Sequence, residues 1–411
     1  MALPFFSIDF KTNDLIKIFS SIIFPINKNK TKNKLTNILK SRFPDNYISI
    51  LPSARLGFYL TLKKYFKEGD EIIFSSMSFP LYIKIANQLN LKVILVDVDK
   101  STLNINHLEI ESKITTKTKG IVATHLFGYP CKISEITNIA NKHNLKLIED
   151  CAQSFNSFYE NKETGTFGDV GIFSTSLLKI PTTLSGGILI TKDKELSSEI
   201  ENWCKDNLKN NLSINVKLFI KNILSILNSY PVIYSILSDK IFSFLNNHNP
   251  RIYRKILYSG MGVSNKIFDP LERPILKKYQ LVSGICQLER CNEMNNIRKK
   301  NSLKLIEALK NNQNIKTLSS YNEYNWNYQY HVLIIENDLN IFSKKLFSKG
   351  VHAMEENVWD CTKYNFNIEN DNDELHITKE INPKLIRIQN NSYLKNKHIK
   401  KIIDSINHIS K

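Results

Sequence analysis

An α/β fold with a mostly parallel sheet and a smaller C-terminal αβ region is predicted by three features of this sequence. From about residue 46 to 193, short apolar runs alternate with helical patterns, as strands joined by crossover helices do. One of these runs ends in the acid Asp150, and open parallel sheets place ligands beyond the carboxyl ends of their strands. At 411 residues and 42% hydrophobic composition, the chain can bury a large core in two domains.

The N-terminal residues 1–45 read as an arm. Asp9 and Asp14 interrupt the start, and the apolar stretch Leu15 to Ile26 is broken by Lys17 and Pro25, so no signal peptide is expected. Lys28 to Lys34, with Lys28, Lys30, Lys32 and Lys34 alternating with polar residues, reads as an exposed linker. A large domain is expected over 46–204. It opens with Pro52-Ser53-Ala54-Arg55-Leu56-Gly57 ahead of an apolar helix, Phe58 to Tyr65. Strands are expected at Glu71 to Ser75, Lys92 to Asp97, Gly120 to Thr124, Lys146 to Glu149, Gly171 to Ser174 and Gly187 to Thr191. Ile133, Ile136, Ile139 and Ala140 have helical spacing, which predicts a crossover helix over Ser134 to His143.

Residues 205–270 form an apolar helical insertion rich in Ile, Leu, Phe and Asn, with Pro231 between the stretches Val216 to Leu227 and Val232 to Leu245. A small C-terminal domain is expected over 271–411. It contains a long amphipathic helix from roughly Tyr279 to Asn312, the strand Tyr330 to Ile335 and a terminal helix, Lys395 to Ile409. No run reaches the ~20 uninterrupted apolar residues of a membrane span.

The formal charge is +17, but the lysines are scattered among Asn and Ile and form no dense stripe, so nucleic acid is not the expected partner. The positive field suits attraction of an anionic substrate. Six cysteines (Cys131, Cys151, Cys204, Cys286, Cys291, Cys361) are scattered with no C-x-x-C. Neither a zinc site nor a disulfide framework is indicated, and a reducing cytoplasm fits.

The chemistry lies in Leu147-Ile148-Glu149-Asp150-Cys151-Ala152-Gln153, followed by Gly168 to Ser174 and then Lys179. An acid ending a strand can hold the protonated ring nitrogen of pyridoxal 5'-phosphate (PLP), and a lysine one strand later can form the Schiff base with its aldehyde. A lone lysine is usually a surface solubiliser. Here Ser174 precedes Lys179, and Thr182, Thr183, Ser185, Gly186 and Gly187 follow in a small-residue loop that lets backbone approach a cofactor. Asp150 could otherwise cap a helix. Gln153, one helical turn on, could donate to the cofactor's phenolic oxygen or simply be a polar helix residue. The start of the Ala54 helix offers free N–H groups to a phosphate, with Arg55 adding a forked contact and Ser174 a second one. Phe79 follows a strand, where its ring could stack on the pyridine or simply fill the core. His125 reads as a hydrogen-bonded structural histidine, and His331, His352 and His376 have no metal spacing.

These segments resemble the DegT/DnrJ/EryC1/StrS family of PLP-dependent nucleotide-sugar aminotransferases. The similarity runs from about Ser53 to Thr191 and resumes from Leu281 to Ile409. It includes Gly69-Asp70-Glu71-Ile72, Val96-Asp97-Val98-Asp99, His125-Leu126-Phe127-Gly128, Gly165-Thr166-Phe167-Gly168-Asp169 and Gln287-Leu288-Glu289-Arg290 with Arg298. The resemblance implies PLP-dependent transferase fold type I, similar to aspartate aminotransferase, with a mixed, mostly parallel seven-stranded sheet and homodimers that share active sites. It implies Lys179 as the catalytic Schiff-base lysine, Asp150 at the ring nitrogen, Gln153 at the phenolate, Ser174 and the Arg55-Leu56 backbone at the phosphate, and Phe79 as the stacking ring.

The chain departs from the family's pattern at Ala54-Arg55, where many members have Gly-Thr, and at Thr183-Leu184-Ser185-Gly186, where Gly-Glu-Gly is usual. The partner-donated Asn-x-Arg is not recognisable, and Arg273 is the nearest basic residue.

The function this implies is transfer of an amino group from an amino-acid donor, glutamate, to the keto group of a nucleotide-linked sugar for surface polysaccharide or glycan synthesis. Two alternatives stand beside it. One is a sugar dehydratase, whose relatives replace the lysine with histidine. The other is a catalytically silent nucleotide-sugar-binding scaffold. Residues after Gly350, namely His352, Glu355 and Trp359, are expected near the substrate. For the insertion, packing as a helical hairpin on the dimer or over the active site is the first expectation, and peripheral membrane contact through 214–245 is the second.

Overall fold

The computed structural model describes residues 2–4, 8–24, 27–249, 252–253, 267–318, 324–356, 359–364, 366–369 and 375–410. Part of the expected insertion, 254–266, lies outside the described residues. The large domain is built on β1 (Tyr47–Leu51), β2 (Glu71–Ser75), β3 (Lys92–Val96), β4 (Thr118–Thr124) and β5 (Lys146–Asp150), a short β6 (Phe158–Tyr159) and β7 (Lys162–Glu163) hairpin, β8 (Val170–Ser174) and β9 (Gly187–Thr191). Seven of these form one sheet in the order β1-β9-β8-β5-β4-β2-β3. The run from β8 to β3 is parallel, while β9 is antiparallel to both β8 and β1.

The near-continuous apolar strands follow from burial on both faces. Ile72, Phe74, Val93, Leu95, Val122 and Ile148 join one core cluster. Their alternates Ile73, Ile94, Val96, Ile121, Ala123 and Leu147 join another on the opposite face, as the period of two requires. Helix Ala54–Tyr65 lies on β8 and β9. Gly187 permits this seat, since a Cβ there would stand 2.4 Å from the Ala54 nitrogen.

The small domain adds β10 (Ile315–Thr317), β11 (Tyr324–Asn325), β12 (Tyr330–Ile335), β13 (Met354–Glu355) and β14 (Leu385–Gln389). Of these, β10-β12-β14-β13 form an antiparallel sheet, and β11 pairs with β6 of the large domain. Helices Cys291–Leu309 and Asn396–Ile409 cover the sheet through Leu305, Leu309, Ile399, Ile402 and Ile406.

Two expectations are corrected. Lys28–Lys34 is no linker but the first half of helix Lys28–Arg42, capped by the Asn27 side chain. The reason is an apolar face, Leu35 and Leu39, that is buried in a core cluster, worth ~1.5–3 kcal/mol per side chain. The N-terminal segment docks on the small domain: Leu3 bonds Gly350 and His352, and Asp9 accepts from Ser392 and pairs with the buried Arg298 at 3.5 Å. The single helix over 279–312 is two, Lys278–Glu289 and Cys291–Leu309, broken at Arg290. Strand β1, which sequence periodicity did not reveal, closes the antiparallel edge of the main sheet.

In the insertion, helices Leu212–Asn228, Pro231–Leu237 and Asp239–His248 rest on the N-terminal segment and the small domain. Tyr230 and Ser235 bond to Phe10 and Ala2, and Tyr393 bonds to Ser229.

Candidate active site

The parallel strands deliver their carboxyl ends to one place. Thr124 ends β4 beside Asp150 at the end of β5, and Asp150 pairs in register with Ile172 of β8. Asp150 is 3% exposed. Its Oδ1 accepts from the Ala152 N–H at 3.0 Å, while Oδ2 has only the Thr124 hydroxyl at 3.5 Å. One carboxylate oxygen is thus left for a further donor. Burial raises its pKa, and the positive charge of Lys179 is among the influences that oppose the rise.

Lys179 follows a turn in which its N–H bonds the Ser176 carbonyl at 3.0 Å, and the next peptide, Ile180–Pro181, is cis. Burial lowers the pKa of the Lys179 amine to about 8, with Arg387 lowering it further and Asp150 and Glu356 opposing. Lys179 and Asp150 therefore lie close enough for each charge to act on the other. Because only the neutral amine attacks an aldehyde, capture of PLP by the apo-protein is expected to accelerate with pH up to about 8 and then level off. Stopped-flow absorbance across the pH range checks this. A rate still climbing near the ordinary lysine value of about 10.4 would contradict it.

Behind Asp150, Glu149 faces the other side of the sheet with no exposure. Its Oε1 accepts from Phe167 and Gly168, and its Oε2 from Gly165, at 2.7–2.8 Å. His125 Nε2 stands 3.0 Å from Oε2. Since the Cys131 N–H donates to His125 Nδ1 at 3.1 Å, the ring is neutral and carries its proton on Nε2, and the His125 backbone N–H in turn donates to the Asp150 carbonyl at 3.1 Å. Glu149, His125 and Cys151 bring ligand atoms within 4.8 Å of one another, but these bonds already fill the carboxylate, making it a structural hub.

The other expected residues lie as follows. Gln153 is 5% exposed, and its Oε1 has no protein partner. Ser174 Oγ lies 3.1 Å from Ser176 Oγ at the end of β8. Half-buried Phe79 precedes helix Pro80–Gln88, with its ring edge-on to Tyr82 at 5.4 Å and tilted to Trp359 at 6.2 Å. Arg55 Nη2 pairs with Glu272 at 2.6 Å. The Leu56 N–H is also engaged, by the Ser53 cap at 3.2 Å, so the helix start offers the Ala54 and Arg55 N–H groups.

His352 does not approach the site. It stacks on Phe347 at 3.9 Å and meets Asp239 at 3.0 Å, where the small domain packs on the insertion. Glu355 pairs with Ile386 in the sheet, and its neighbour Glu356, fully buried, faces Lys179 electrostatically. Trp359 donates to Glu356.

Four residues were missed. Gln329 Nε2 and the Tyr330 hydroxyl hold the Leu178 carbonyl at 2.6 and 3.4 Å. Arg387 pairs with Glu356 at 2.9 Å and lies over the Tyr330 ring at 4.1 Å. The available signal was an arginine inside the apolar strand Leu385–Gln389, where burial without a purpose is costly.

A mostly parallel seven-stranded sheet whose strand ends unite a lysine and an aspartate is the architecture of PLP-dependent transferases of fold type I. Residues 52–215 match the DegT/DnrJ/EryC1/StrS aminotransferase family. It is 37% identical over 151 residues to a GDP-perosamine synthase of Escherichia coli O157:H7, covering 36% of this chain and 42% of the relative. It is 31% identical over 270 residues to the lipopolysaccharide biosynthesis protein RfbH of Salmonella typhimurium, covering 64% and 53%. The chain thus spans about half the length of these relatives. In fold it is similar to the aminotransferase TlmJ from Streptoalloteichus hindustanus, with a TM-score of 0.75, 16% identity, and coverage of 100% of this chain and 99% of that one.

Proposed function

We propose that this protein is a PLP-dependent aminotransferase that moves an amino group from glutamate to the keto group of a nucleotide-linked sugar, in surface polysaccharide or glycan biosynthesis. The observation that carries this reading is the meeting of Lys179 and Asp150 at the ends of neighbouring strands, each within range of the other's charge. The residues present fit the cofactor. Asp150 has an acceptor oxygen available for a protonated ring nitrogen, and Gln153 has a buried, unpartnered amide oxygen, so its amide group is uncommitted and can turn its N–H₂ to the phenolic oxygen. The Ala54 and Arg55 N–H groups with the Ser174 hydroxyl would take the phosphate, and Phe79 would lie on the ring.

When bound, PLP supplies an electron sink for the carbon that exchanges the amino group. Lys179, with its amine pKa lowered to about 8, is suited to carry a proton to and from that carbon as general acid and base near neutral pH. Gln329 and Tyr330 hold the backbone that presents it. A lysine, where the related dehydratases carry histidine, favours transamination. The working unit in this reading is a homodimer with shared active sites in the cytoplasm. All six cysteines are free, as a reducing compartment requires.

A panel of keto-sugar nucleotides incubated with glutamate and PLP tests the substrate class. The expected product has a keto oxygen replaced by an amino group, read by mass. Formation of 2-oxoglutarate without any aminated sugar would retain the transaminase and remove the sugar.

A further inference from the structure

Helix Leu212–Asn228 has two unlike faces. Asn222 and Ile226 are buried, Ile226 in a cluster with Ile18 of the N-terminal helix Thr12–Ile23. Leu212, Val216, Ile220, Leu224 and Leu227 recur every three to four residues on another face and are 45–74% exposed. The next two helices continue the pattern with Val232, Ile236, Leu237, Ile241 and Phe244, all 58–65% exposed. Thr12–Ile23, which shares the Ile18–Ile226 cluster, adds Ile16, Phe19, Ile22 and Ile23. Isolated exposed aliphatics are ordinary, but helical ridges of them mark a binding surface. Lys217, Lys221 and Lys240 are exposed beside these ridges.

The charge of the segment decides what it fits. Between Asn207 and Phe268 the sequence holds eight Lys and Arg and one acid, Asp239, and Asp239 faces His352 at 3.0 Å. A second copy meeting this face about a two-fold axis would set like charge against like. An aliphatic ridge edged by lysines whose long stems can lie along it suits a bilayer interface with anionic headgroups.

We propose that this face is a peripheral docking surface for an anionic membrane. The aliphatic side chains enter the headgroup boundary and the lysines pair with lipid phosphates, holding the enzyme flat on the bilayer without crossing it. Among the described residues no helix is long and apolar enough to span one.

The test is co-sedimentation of the full-length, PLP-loaded protein with phosphatidylcholine vesicles, with and without phosphatidylglycerol. Binding is expected only with the anionic lipid and should weaken with salt. It should fall more than about tenfold in Ile220→Glu/Leu224→Glu, because two inserted aliphatic side chains are lost. Lys217→Glu/Lys221→Glu should lose the preference for anionic lipid. All these positions are exposed, so circular dichroism and the PLP absorption band should match the parent. Absence of binding to anionic vesicles would overturn the proposal. So would equal binding to soluble polyglutamate, which would mark an acidic-protein site, or a change of oligomeric state in Ile220→Glu/Leu224→Glu with vesicle binding intact, which would mark an interface between copies.

Discussion

Lys179→Ala is expected to eliminate the absorption band of lysine-bound PLP and to reduce transamination on the order of 10⁴-fold, because one amine both anchors the cofactor and moves the substrate proton. Folding should survive. The turn at this position is held by backbone, with the Lys179 N–H on the Ser176 carbonyl and Gln329 on the Leu178 carbonyl, and removing a desolvated amine relieves a cost of burial. Spectra of purified parent and variant with added PLP, together with thermal unfolding, separate the two effects. An intact band in the variant would place the covalent link on another lysine and remove the functional reading. A lost band with a collapsed melting transition would instead show that the side chain holds the fold.

Glu149→Gln is expected to cost about 3–5 kcal/mol of stability and to weaken PLP retention, although residue 149 does not face the cofactor. Its carboxylate accepts three backbone N–H groups and faces His125 Nε2. A glutamine turns one of those acceptor positions into a donor, so at least one buried donor meets another. The loop 165–168 and His125 would lose their common anchor, and with it the bond from the His125 N–H to the Asp150 carbonyl. Urea unfolding of parent and variant measures the stability, and dialysis followed by absorbance measures retention. An unchanged unfolding midpoint would show that the hub contributes nothing. Glu149→Gln and Lys179→Ala should also differ in kind, the first shifting the melting transition and the second only the chemistry.

Much of the large domain was legible because its strands are buried on both faces. Apolar runs such as Ile72 to Phe74 and Val93 to Val96 cannot be read otherwise once crossover helices separate them. β1 was missed because it joins the sheet antiparallel at its edge, a pairing that depends on Gly187 to Thr191 far along the chain. The Lys28 helix was missed because four lysines in seven residues obscure the short apolar face of Leu35, Ile38 and Leu39. Of the candidate site residues, Lys179, Asp150, Gln153, Ser174 and Phe79 could be proposed from the sequence because each lies at or shortly after the end of a predicted strand. The pairing of Arg55 with Glu272 could not, since the partner lies more than 200 residues away and on no shared element.

The sequence by itself determined the class of fold and the lysine–aspartate pair, because both follow from local order: apolar strands with small-residue turns and reactive residues at their ends. Only the tertiary structure decided that Gln329 and Tyr330 of the small domain hold the Leu178 carbonyl next to Lys179, that the charges of Glu356 and Arg387 act on its amine, and that the insertion keeps an apolar ridge in the open. Those placements depend on how two domains and distant helices pack, where burial, charge pairing and hydrogen-bond satisfaction must be met together and no single segment specifies the outcome.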